Sequence, residues 1–191
     1  MKHLLSTVVI SSALLVGAPS TAAQSTKGVF GGIQYVGSSV DVKSAAEDLE
    51  FGGGFGVHAG LGLSDTWSVL ANFDRSVLPG VKNTSDVTLS QYDALLRMNL
   101  LPGASSPFRV FLAAGATART ANAGRDFEDI APTGGAGAQL FVTSKIAVNG
   151  TALWTFGKLT RASQLRNGQE GQFESTGTRV QAGVSLYLFG K

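Results

Sequence analysis

From Gln24 onward this sequence alternates apolar and non-apolar residues with a period of two rather than 3.6. Phe55, Val57, Ala59, Leu61 and Leu63 interleave with Gly54, Gly56, His58, Gly60 and Gly62. Tyr92, Ala94, Leu96, Met98 and Leu100 interleave with Gln91, Asp93, Leu95, Arg97 and Asn99. Successive strand side chains point to opposite faces, so each run has one apolar face and one face of glycine and polar groups. Further runs span 67–74, 108–119, 135–142, 146–156 and 179–188, and a weaker one spans 29–36, where Gly32 and Gln34 mark the inner face. Eight strands are expected. Glycine supplies 25 of the 191 residues, but with no G-X-Y period and only 5 prolines it does not indicate collagen. Absence of cysteine removes disulfide scaffolds, zinc knuckles and thiol catalysis, and a net charge of +2 is too small to point to nucleic acid.

The glycines decide which face meets which solvent. On a water-facing surface glycine weakens a strand and does little else. Inside a narrow barrel it leaves room for long polar side chains from neighbouring strands. The polar set therefore fills a lumen, with His58, Asp74, Asp93, Arg97, Arg109, Arg119 and Arg179 inside, and the apolar set faces lipid. Leu96 is expected on lipid, and Arg97 in the lumen within reach of Asp74 or Asp93. Such charges form either a selectivity constriction or a plug of paired ions, and eight strands leave a bore that favours the plug. Tyr35, Phe55, Phe73, Tyr92, Trp154 and Phe156 fall on the apolar set near one set of strand ends, and Trp67 and Phe108 near the other. That is the placement of two aromatic girdles around an aliphatic band.

The connectors alternate too. Those around Ser64, Pro102 and Thr143 read as short, and 38–50, 76–86, 120–132 and 157–175 read as long and polar. Transmembrane barrels show this asymmetry, with short periplasmic turns and longer external loops. The expected fold is an all-β, eight-stranded antiparallel up-and-down transmembrane β-barrel over 24–191. Before it, residues 1–23 run from a basic start at Lys2 and His3 through apolar Leu4–Val16 to small residues at Thr21 and Ala23, the pattern of a secretory signal peptide.

The runs Gly54–Trp67 and Gly135–Thr143 resemble strand–turn segments of the small porin and opacity-type outer-membrane barrels, the family that includes OmpA-like transmembrane domains. In that family the last strand is read by the barrel assembly machinery, and Gln181, Gly183, Leu186 and Leu188 match its pattern, although Phe189 is followed by Gly190 and Lys191 rather than ending the chain. The resemblance implies a monomer in the cell outer membrane, in contact with lipid and lipopolysaccharide, with surface loops for structural, adhesive or recognition roles toward an unidentified ligand. The alternative it offers is an OmpW-like passive conduit or porin for small solutes. An outer-membrane enzyme is the third reading. His58 is the one histidine after the leader, so no metal site or cofactor is expected, and no serine stands beside it in sequence.

Overall fold

A computed structural model describes residues 26–42, 50–80, 86–100, 106–122, 126–161 and 172–188. Eight strands form, β1 Gly28–Val42, β2 Gly52–Gly62, β3 Trp67–Leu78, β4 Val87–Asn99, β5 Phe108–Asn122, β6 Asp126–Phe141, β7 Ile146–Arg161 and β8 Gln172–Tyr187. Each pairs antiparallel with its sequence neighbour, and β8 pairs with β1, closing the barrel. Closure removes every free sheet edge, the condition for a sheet to cross hydrocarbon. The period-two pattern is realised in both directions. In β4, Gln91, Asp93, Leu95, Arg97 and Asn99 are buried while Tyr92, Ala94 and Leu96 are exposed.

The connectors depart from expectation. The segment expected as a long loop at 120–132 is mostly strand, and β5 and β6 are joined across 123–125. The connector expected to be short near Pro102 spans 100–107. The first error has a physical origin. Phe127, Asp129 and Ala131 alternate with Glu128, Ile130 and Pro132, a strand pattern whose charges suggest a loop when a water-facing loop is the only place imagined for them. A lumen accepts charge, and so does wall standing above the bilayer. With 16 residues, β6 reaches about 40 Å along the barrel axis at ~3.3 Å per residue and ~40° tilt, against an apolar band of about 25 Å. β5–β8, with 15 or 16 residues each, are therefore longer than the lipid band. The leader at 1–23, acidic Glu47 and Asp48, basic Arg166 and the tail Phe189–Lys191 lie outside the described residues.

The lumen is layered. Phe30, Phe141, Ala147 and Tyr187 cluster at the end that carries Gly28 and Tyr187, with Phe30 and Tyr187 stacked at 5.0 Å. Leu78, Val87, Leu89 and Ala121 cluster at the other end. Leu95, Ala113 and Leu153 form a third group. Polar side chains occupy the space among these clusters.

Candidate functional site

One continuous chain of hydrogen bonds crosses the lumen and draws on all eight strands. Thr117 Oγ1 of β5 donates to Asp93 Oδ1 of β4 at 2.6 Å. Its hydrogen is then committed, so Thr133 of β6 donates to Thr117 (2.6 Å) and Thr155 of β7 donates to Thr133 (2.8 Å). Arg179 of β8 joins Asp93 to Asp74 of β3, donating from Nη2 and Nη1 at 2.7 Å each. Asp74 also accepts from Gln34 Nε2 of β1 and from Gln181 Nε2, both at 2.7 Å, and Asp93 accepts from Asn72 Nδ2 at 2.9 Å. With its amide nitrogen so used, Gln34 presents Oε1 to His58 Nδ1 of β2 at 3.2 Å. That assigns the proton to Nδ1 and leaves Nε2 to accept from Ser185 at 2.8 Å.

Glycines make the reach possible. Gly32 lies between His58 and Ser185 in register, and a β-carbon there would overlap the Val184 carbonyl and stand 2.8 Å from His58 Cε1 and Nε2. Gly56 lies opposite both Gln34 and Asp74, and its β-carbon would overlap the Asp74 carboxylate. Each glycine clears a path for two side chains to meet across its strand.

Arg97 corrects the sequence expectation. It pairs with neither Asp74 nor Asp93, which Arg179 takes. Its guanidinium instead stacks over Phe111, 3.8 Å from the ring centroid, and donates to Gln139, whose amide donates in turn to the Tyr187 hydroxyl at 2.8 Å. Arg109 is fully buried nearby, 5.8 Å from the Phe141 centroid. Arg119, on the other side of the central network, pairs with Asp129 and donates to Ser175 at 2.9 Å. Asp129 was missed because it was assigned to a loop. Gln34 was placed on the inner face but given no partner, and Asn72, Thr117, Thr133 and Thr155 were missed because uncharged polar residues carry no signal of their own. Their position on the inward phase was the available clue.

A second correction concerns Ser185. No serine neighbours His58 in sequence, yet the β1 register brings β2 and β8 within one glycine of each other and sets Ser185 on the imidazole. Asn149 Nδ2 also donates to Ser185 Oγ at 2.6 Å. The cavity beside the pair is about 20 Å³, room for about one water and no substrate. The hydrogen bond ties one wall to another.

On the outer face Tyr35, Phe55, Trp67, Tyr92, Phe108, Trp154 and Phe156 are exposed and Phe73 is half-buried against Tyr92. Tyr35 meets Phe55 edge to face at 5.7 Å. Of the residues matching the assembly pattern, Gln181 is buried in the central network, Gly183 packs against Gln34, and Leu186 and Leu188 are exposed.

The family model described as "Outer membrane protein beta-barrel domain" matches residues 8–187. No curated protein matches the sequence. Among solved structures the barrel is similar to Neisserial surface protein A, with a TM-score of 0.63 and 14% identity over 85% of this chain and 98% of that one. It is similar to the outer membrane protein OprG of Pseudomonas aeruginosa, at 0.55 and 14% over 86% and 97%. It is also similar to Ail, the attachment invasion locus protein of Yersinia pestis, at 0.51 and 13% over 84% and 99%.

Proposed function

Because the chain belongs to the outer membrane protein β-barrel domain family, we propose that it serves as a closed outer-membrane barrel whose external loops, not its bore, carry its function. The outer membrane is its location. The observation that carries the reading is the central network, in which every strand contributes a side chain and the neighbouring free space is about 20 Å³. A buried ionic layer of this kind leaves no water column for solutes, and unpaired charges in it would be costly. His58 and Ser185 are absorbed in that network, so no catalytic role is assigned to them, and no cofactor.

The rim bearing connectors 43–51, 79–86 and 162–171 faces outward and supplies recognition or adhesion, and the rim bearing Gly28 and Tyr187 faces the periplasm. The barrel works as a monomer in lipid and lipopolysaccharide, is cleaved from its leader before Gln24, and is inserted by the barrel assembly machinery through β8. The test is conductance of the refolded protein in planar bilayers. A flat trace is expected. Steady unitary steps would overturn the proposal in favour of a solute conduit, and loss of cell-surface binding on trimming the three loops is the matching positive result.

A further inference from the structure

The ladder between β6 and β7 is interrupted. Phe127 pairs with Arg161 and Glu128 with Thr160, and pairing resumes with Thr133 opposite Thr155. Between them, residues 129–132 face 156–159 without pairing, although 129–132 stay paired to β5 on their other side. The register is the same above and below, so no residue has been inserted and the feature is a notch rather than a bulge. Pro132 contributes to it by lacking an N–H. Hydrocarbon does not tolerate unpaired backbone groups, which places the notch at headgroup level, where polar partners exist.

The two sides of the notch differ in chemistry. In front lies a cleft of about 550 Å³ on the outer face, lined by Tyr92, Ala118 and Ile130 with Glu128 and Lys158, and reached from behind by Arg119 and the Asp129 carboxylate. Ile130 is 79% exposed, more than any other large apolar side chain described. Behind, the absent side chain of Gly157 leaves space that the Arg119–Asp129 pair fills, with Arg119 Nη2 3.0 Å from where a β-carbon would stand. The Arg119 side chain is 1% exposed. Its Nη2, the nitrogen nearest Gly157, serves Asp129 and Ser175, while Nε and Nη1, the latter lying toward Gly177 of β8, have no acceptor among the described residues. A buried guanidinium with unused donors behind an unpaired stretch of wall, with apolar surface in front, is complementary to a molecule with an anionic head and an apolar tail.

We propose that this notch binds an anionic single-chain amphiphile from the outer leaflet, its head on Arg119 and its tail along Ile130 and Tyr92. The closed central network lies inward of Arg119, so the site is a dead end that holds the ligand and does not pass it. It is separable from the closed-bore reading, because conductance does not report on it.

The test uses the protein refolded in phosphatidylcholine vesicles and a brominated stearate. Trp154 lies on the outer face of β7 close to the notch, and Trp67 lies near the opposite rim. Saturable quenching of Trp154 in a Trp67→Phe background is expected, beyond that of Trp67 in a Trp154→Phe background. Arg119→Gln should weaken it about tenfold or more, as loss of a charge-assisted contact does. The chain has no cysteine, and positions 130 and 158 face each other in the shared register. The reduced Ile130→Cys/Lys158→Cys variant, having lost the Ile130 contact, should bind more weakly than wild type, and its oxidation should pin the notch shut and abolish the saturable component that remains. Equal quenching by the brominated methyl ester, or indifference to both the disulfide and Arg119→Gln, would overturn the proposal. Displacement by millimolar inorganic phosphate would overturn the amphiphile in favour of a free anion.

Discussion

Replacing Arg179 with Met removes the one cation that bridges Asp74 and Asp93 while keeping an unbranched side chain in the same space. Both carboxylates are 0% exposed and the Arg179 side chain is 3% exposed. Breaking a buried pair by deleting one partner costs about 3–5 kcal/mol, since a charge is left buried. Here two charges are stranded, which pushes the cost up. Asp74 still accepts from Gln34 and Gln181, and Asp93 from Asn72 and Thr117, which pulls it down. About 4 kcal/mol is the expected loss. Adding Asp74→Asn and Asp93→Asn removes the stranded charge, and the triple variant should recover to within about 2 kcal/mol of wild type, because a buried ionic group replaced whole is often nearly neutral. The assay is reversible urea unfolding in phosphatidylcholine vesicles, with the gel shift between folded and boiled forms as the check on folding. If Arg179→Met costs under about 1 kcal/mol, or the triple variant is no better than the single one, the three residues are not a desolvated unit and the plug is wrong.

Neighbouring leucines test the two faces. Leu96→Arg should cost roughly 2–4 kcal/mol on the lipid side near the midplane, whereas Leu96→Ala should cost under about 1 and Leu95→Ala about 2–4, since Leu95 packs with Ala113 and Leu153; equal alanine costs would contradict the assignment. Gly32→Val should lose about 1–3 kcal/mol or more by driving a β-carbon into the Val184 carbonyl and His58 off Ser185, while Gly134→Ala, whose β-carbon would find its nearest atom at 3.8 Å, should unfold like wild type. Epitope tags at positions 83 and 167 should be labelled on whole cells and one at Asp65 should stay hidden; inverse labelling would turn the barrel over.

Period two and the distribution of glycine were sufficient for strand number, closure and the inward phase of every charged lumen residue named from sequence, because one face must satisfy lipid along the whole chain. Pairing was not legible in the same way. Alternation says that Arg97 and Arg179 both point inward, but which of them meets Asp93 depends on stagger between strands far apart in sequence. Arg97 took the aromatic Phe111 instead. Leu95 shows a related limit. The lumen was read as polar, whereas the interior at Leu95 is an apolar cluster with Ala113 and Leu153. The hairpin of β5 and β6 was lost at its tip because charge was equated with a loop, and the Ser185 contact was lost because it spans 127 residues of sequence.

The eighth strand in chain order holds the pieces that lock the other seven. Ser175, Arg179, Gln181, Ser185 and Tyr187 of β8 reach partners on β2, β3, β4, β5, β6 and β7, and Tyr187 stacks on Phe30 of β1. A sheet of seven strands would leave Asp74 and Asp93 without their cation, and water would have to remain around them. The bore therefore has no stable dry form before the seam shuts. Drying and seam closure are a single event, and a chain cut short of Arg179 should stall as a wet, open sheet rather than settle as a smaller barrel.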